Sequence, residues 1–374
     1  MKKIVSYLCI GIFISSSCKT PEGETIVTGN HYAHRFSIID HDKYQRLKVI
    51  NPWQGSGNEI FEYLLAEDLS LLPDSLSEIP AIKTPVSRVV VFSTTHIGFI
   101  RSLGYSTSIT GVSGLSYVCD SIIRNRASSS MVYDIGYPPN VNYERIISLD
   151  PDVVFLYGIE ANITGIAGRL QKAGIPVVLI AEYLEPHPLG KMEWIKVFGA
   201  FYHENLLARA IFEDARKEYE KYQKLADSVK NKPGVLVGLP WKDTWYMAGG
   251  ASFTARFIRD AGGLYLWEEN PSTEYIPLSL EAAMTKALEA DIWINTGSAA
   301  SLEEIMNRDT RFSDLEVFRK KKVFNNDALL CPEGGNQFWE SGVTEPHIIL
   351  KDLIKIFHPE IMEPHDFVYY RKLK

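Results

Sequence analysis

Tyr143-Glu144-Arg145-Ile146-Ile147-Ser148-Leu149, followed by Asp150-Pro151-Asp152 and then Val153-Val154-Phe155-Leu156, decides the fold of this chain. Apolar residues recur at helical spacing and then merge into one continuous apolar run, so a short helix opened by Glu144 feeds a buried strand. The pattern returns as Leu280-Glu281-Ala282-Ala283-Met284, running through Ala287-Leu288-Glu289-Ala290 into Asp291-Ile292-Trp293-Ile294. Two α/β lobes of similar build are expected. An exposed acid at the same place on each points to a surface gripped at two points by one partner.

Around these units strands and helices alternate. Arg88-Val89-Val90-Val91-Phe92 reads as a buried strand and Ser93-Thr94-Thr95 opens a helix; Ile109 to Val112, Val153 to Leu156 and Ile175 to Ile180 supply further strands. Such alternation predicts a mostly parallel, doubly wound sheet, with ligands beyond the carboxyl ends of its strands. Residues 203–230 predict the longest helix, about 40 Å at 1.5 Å per residue, with Leu207, Ile211, Ala215, Tyr219, Tyr222, Ala226 and Val229 as its apolar stripe. One rigid helix joining two lobes implies only a small closure of the cleft. The expected fold class is therefore α/β, two doubly wound Rossmann-like lobes joined by one long rigid helix. The segments are 1–18 leader, 19–85 tether and small β extension, 86–190 first lobe, 191–231 linker helices and 232–374 second lobe.

The 374 residues are 45% hydrophobic and 23% charged, enough for two packed cores. Lys2-Lys3, the apolar run Ile4 to Ile14 and Ser15-Ser16-Ser17-Cys18 have the layout of a secretory signal, and the run is too short to span a bilayer. A cysteine placed there resembles a lipoprotein signal, with Cys18 the lipidated first residue, although Ser15 stands where such signals usually carry Leu. Loss of Lys2 and Lys3 would move the net charge from −7 to −9. An acidic chain without a basic run argues against nucleic acid as partner. Cys119 and Cys331 either bridge the lobes or remain free thiols, and spacing does not choose. The Gly55-Ser56-Gly57 stretch lacks the third glycine and the strand-helix context of a dinucleotide site.

The order and spacing of Arg88 to Gly111, Gly136 to Leu156, Gly174 to Ile180, Trp245 to Gly263, Ser279 to Ile294 and Asp352 to Pro359 resemble the solute-binding proteins of ABC importers. The resemblance is to the class joined by a single helix that serves ferric siderophores, haem and cobalamin. It covers nearly everything after residue 85 and says nothing of residues 19–85. It implies a monomer held outside the cytoplasm by a lipid anchor. The chain would capture an iron chelate and deliver it, chemically unchanged, to a permease dimer driven by a cytoplasmic ATPase. It also implies that Glu144 and Glu281 pair with arginines of the permease; on the residues alone each merely complements the positive end of its helix.

Ligand in such proteins sits between the lobes, which nominates Ser93, Thr94, Thr95, His96, Tyr137 and Tyr157 from the first lobe. Trp241, Trp245, Tyr246, Arg256, Tyr275 and Trp339 are the candidates from the second. Aromatic walls suit a large chelate. His96 is either an axial ligand to a haem or corrinoid metal or a hydrogen-bonded histidine at a helix start. No pair of histidines stands at ligand spacing, so no protein metal site and no resident cofactor is expected. Cobalamin is the alternative cargo. An extracytoplasmic enzyme is the runner-up class, disfavoured by the lack of a Gly-x-Ser-x-Gly elbow, a His-Glu-x-x-His helix or a phosphate loop. A scavenger not coupled to a permease is the third.

Overall fold

A computed structural model describes residues 25–26, 29–158, 163–362 and 364–374, so the leader and Cys18 lie outside the described residues. The chain opens with a five-stranded sheet ordered β1 (Thr25–Ile26), β2 (Phe36–Asp40), β3 (Gln45–Ile50), β4 (Ile60–Ala66) and β5 (Ala81–Lys83). Neighbours are antiparallel except β4 and β5.

The first lobe is built on a parallel sheet of β6 (Val89–Val91), β7 (Ile109–Val112), β8 (Tyr133–Asp134), β9 (Val153–Leu156) and β10 (Val177–Leu179), in the spatial order β10-β9-β6-β7-β8. Its strands are apolar throughout because both faces are covered: Val89 and Val91 join one hydrophobic cluster while Val90 joins another with Phe92 and Leu156. In the second lobe β11 (Gly234–Val237) lies parallel between β13 (Leu264–Tyr265) and β15 (Ile292–Ile294). The antiparallel ribbon of β12 (Thr244–Ala248) and β14 (Tyr275–Ser279) stands beside it. Both lobes are thus α/β with parallel sheets, as the strand and helix alternation predicts.

The two glutamate units fold as helix then strand, Tyr143–Leu149 into β9 and Leu280–Ala287 into β15. The Asn142 and Ser279 side chains accept the N–H groups of Arg145 and Ala282, and so cap the two helices. Between the lobes the path runs through three consecutive helices, Pro188–Glu193, Ile195–Tyr202 and Asn205–Asp227. The longest has 23 residues and is shorter than expected, because His203 adopts a left-handed conformation that ends the preceding helix and delays its start. Its buried stripe is also corrected, to Ala208, Phe212, Ala215, Tyr219 and Ala226; Leu207 stands on the exposed flank.

The lobes are tied to one another away from the linker. Cys119 and Cys331, 212 residues apart, form a disulfide with a Cα–Cα distance of 5.6 Å, which settles the choice between bridge and free thiols. Beside it the fully buried Glu340 accepts the Cys119 N–H at 2.7 Å, while its other oxygen makes no hydrogen bond among the described residues. A side chain at Gly98 would meet the Glu340 carbonyl oxygen at 2.0 Å, so glycine is needed for that approach.

Burial pushes the Glu340 carboxyl up from 4.5 to about 7; the Cys119 N–H opposes the rise and the charge of Asp120 adds to it. Between these two values the folded chain holds a proton that the unfolded chain has released, so this contribution to stability falls as pH rises through the window. Urea unfolding of wild type and Glu340→Gln from pH 4.5 to 7 should show the stability difference shifting by on the order of 2 to 3 kcal/mol in favour of the variant. Parallel profiles would contradict this assignment.

Candidate functional site: a cleft between the lobes

The carboxyl ends of β6, β9 and β10 open onto a cavity of about 720 Å³ between the lobes. Ser93, Thr94 and Thr95 line it where β6 turns into the helix Thr94–Ser102, and Tyr157 does so just past β9. The second lobe contributes Phe253, Tyr275 and Trp339. Six of the twelve nominated residues therefore meet in one space: Ser93, Thr94, Thr95, Tyr157, Tyr275 and Trp339.

The other six do not line it. His96 is sealed beneath Thr95 with no exposed surface, and burial lowers its pKa to about 4, so the ring is neutral and has no access to a bound metal. Trp245 belongs to the second-lobe core: alternation along β12 turns it inward, against Trp293 and Phe312, and its indole N–H donates to the Val237 carbonyl at 3.1 Å. The same alternation points Tyr246 out to solvent. Trp241 is exposed at the far end of that ribbon, bridged to Thr244. Arg256 is held by Asp260 at 2.8 Å, which also accepts Tyr219 and Gln223. Tyr137 lies after β8, with its ring against Gly114.

Sequence reasoning missed the floor of the cavity and one of its walls. Glu182 and Lys191 form the floor. Glu182 is 1% exposed; its Oε1 accepts the Thr95 hydroxyl at 2.5 Å, and its Oε2 lies 4.0 Å from His96 Nε2 and makes no hydrogen bond among the described residues. Lys191 is 8% exposed, has no hydrogen-bond or ion-pair partner among the described residues, and sits 4.9 Å from the Phe253 ring centre and 5.6 Å from that of Trp339. Burial lowers the Lys191 pKa, and the charge of Glu182 partly offsets the shift. Burial, with Glu182 adding, raises the phenol pKa of Tyr157.

The missed wall comes from the N-terminal sheet, through Arg35 and the turn Asn51 to Gly57. The available signal was Trp53, a tryptophan inside a turn rich in Gly and Ser, which an ordinary surface turn has little use for. Among the described residues no His, Cys or Met lines the cavity. Among the described residues no cluster of three or more His, Cys, Asp or Glu is placed to hold a metal ion. A second concavity of about 860 Å³ lies at the amino ends of β11 and β15, edged by lysines such as Lys230, Lys232 and Lys322. It is a broad groove at the end of the sheet opposite to where ligands of such folds sit.

Over residues 89–328, more than half of its length, the chain matches the family described as periplasmic binding protein, and it belongs to that family. The family comprises solute-binding components of ABC importers. An uncharacterised lipoprotein of Methanocaldococcus jannaschii is 26% identical over 367 residues, covering 91% of this chain and 84% of the relative. A periplasmic haem-binding protein from Pseudomonas aeruginosa superposes with a TM-score of 0.58 at 17% identity, over 77% of this chain and 98% of its own. A periplasmic vitamin B12-binding protein of Vibrio cholerae gives 0.52 at 13% identity, over 75% and 99%. At these identities the solved structures speak for the shared fold.

Trp245 and Trp339, both nominated for the cleft, now separate cleanly. Trp245→Ala should lower unfolding stability by about 3 to 5 kcal/mol through the cavity it leaves in the core. Trp339→Ala, at the half-exposed rim, should change it by less than about 1 kcal/mol. Chemical denaturation of the two variants measures this, and equal losses would contradict the placement.

Proposed function

We propose that this chain is the lipid-anchored, monomeric substrate-binding subunit of an ABC importer. It captures an iron chelate outside the cytoplasm and delivers it to a permease dimer with a cytoplasmic ATPase, without acting as an enzyme. The observation that carries this reading is the aromatic-walled cavity of about 720 Å³ at the carboxyl ends of the first-lobe strands. Tyr157, Phe253, Tyr275 and Trp339 offer the broad apolar contact that a large chelate needs.

A metal that arrives fully coordinated asks for no protein ligand, which agrees with a lining that holds no His or Cys among the described residues. With His96 sealed away, a haem would have to take a lining phenol such as Tyr157, Tyr183 or Tyr275 as its axial ligand, whereas a siderophore needs none. The Cys119–Cys331 disulfide supports an oxidising, extracytoplasmic location. No helix among the described residues is long and apolar enough to cross a membrane, so attachment falls to Cys18.

Glu144 and Glu281 support the delivery half. Each sits exposed in the first turn of its helix. Glu281 is 3.4 Å from Arg311, which shows that this carboxylate accepts a guanidinium. The ribbon that ends in the Ser279 cap begins at Tyr275 on the cavity wall, so one strand runs from ligand to docking face. Charges so placed would steer a basic permease surface and set its register.

Tryptophan-fluorescence titration of residues 19–374 with ferric siderophores, haem and cobalamin should give saturable quenching by a chelate at submicromolar concentration. Glu144→Ala with Glu281→Ala should leave that affinity unchanged and abolish uptake by cells carrying the permease. Loss of neither would indicate a scavenger, and failure of the whole panel would overturn the chelate assignment.

A further inference from the structure

The N-terminal sheet is built into the site by two buried carboxylates of the linker. Glu193 accepts the N–H groups of His31, Tyr32 and Ala33 at 3.0, 2.9 and 2.8 Å, and Glu185 accepts those of His34 and Arg35 at 3.0 Å each. This clamp delivers Arg35 to the cavity. Its guanidinium then donates to the Asn51 carbonyl at 2.8 Å and holds the turn that follows. Trp53 fixes the same turn from the other side, packing into the first-lobe cluster with Val90 and Phe92 and edge-on to Phe61 at 5.8 Å. Between these anchors Gln54 stands exposed on the cavity lining with no hydrogen-bond partner among the described residues.

The floor carries two ionisable side chains that form no ion pair with one another. Lys191 and Glu182 are both more than nine-tenths buried, yet they lie beyond ion-pair distance of one another. Leaving a buried amine unpaired is unfavourable. A lysine can only donate and an ionised carboxylate can only accept. The missing partner is therefore an anionic oxygen for Lys191, while the buried Glu182 Oε2 faces His96 Nε2 at 4.0 Å. Arg35 adds a second cation in the same cavity; of the other lining acids, Glu185 is already engaged by His34, Arg35 and the Trp194 indole, and Glu274 stands exposed to solvent.

We propose that the N-terminal extension is a third wall of the ligand site, and that Arg35 and Lys191 select an anionic ferric siderophore. This rests on the chelate-binding function proposed above and narrows it to one charge class. It also gives the extension a role in recognition, beyond carrying the body away from a membrane.

The test compares the full mature chain with Lys191→Met and Gln54→Trp, titrating each with a ferric tris-catecholate of charge −3 bearing amide arms and with a neutral ferric tris-hydroxamate. Wild type should bind the anionic chelate at least about tenfold more tightly. Lys191→Met should narrow that preference by about tenfold, and Gln54→Trp should weaken both chelates by about tenfold through steric filling of the wall. Gln54→Trp should unfold at the wild-type temperature and Lys191→Met at that temperature or above it, since this variant removes an unpaired buried cation. Equal affinity for the two chelates, an unchanged preference in Lys191→Met or unchanged binding in Gln54→Trp would overturn the inference while leaving the importer function standing. Failure of wild type to bind either chelate, or haem or cobalamin, would overturn both.

Discussion

Two carboxylates, Glu193 and Glu185, hold the rest of this architecture in place. Neither is exposed to any extent, and between them they accept five consecutive backbone N–H groups from His31 to Arg35. Lys196 completes the balance at Glu193, 2.6 Å away and itself buried. Five donors spread over two anions make a contact that a slipped or reversed strand could not reproduce, because hydrogen bonds to a charged group are both stronger and more directional than neutral ones. The clamp fixes where β2 begins, and β2 fixes β3 and the turn that closes the cavity. A side chain at Gly190 would meet the Tyr32 carbonyl oxygen at 2.8 Å, so the linker helix offers a bare backbone at the crossing.

The same economy governs how the lobes face each other. The linker runs through three helices, and on the far side the disulfide and the buried Glu340 join the second-lobe segment to the first lobe. Tied at both ends, the lobes have little freedom to swing apart. The parts of the cavity wall nearest solvent are the turn at Gln54 and the ribbon end at Tyr275, which is 69% exposed. A preformed cleft of this kind binds with small ordering losses.

Much of the fold was legible because its signals are local. Val89 to Val91 and Val153 to Leu156 are continuous apolar runs, and a strand covered on both faces must be one. The glutamate units were legible for the same reason, since each cap, helix and strand lies within about fifteen residues. The site was only half legible. Trp245 looked like a wall because tryptophans favour ligand surfaces, yet strand alternation gave that direction to Tyr246 and sent Trp245 to the core. The extension's role was hidden because its partners, Glu185 and Glu193, stand some 150 to 160 residues away in sequence. Lys191 and Glu182 carry no motif, and only their shared isolation in a closed space marks them.

The most direct test of a cleft walled by both lobes and by the extension is hydrogen-deuterium exchange on the intact mature chain, with and without the chelate that quenches its fluorescence. The account predicts slowed exchange in three separate stretches, residues 51–57, residues 93–95 with 157, and residues 273–275. Protection confined to the lobes, with 51–57 unchanged, would remove the extension from the site. Protection centred on residues 230–233 and 355–360 would place the ligand in the lysine groove and contradict the account as a whole.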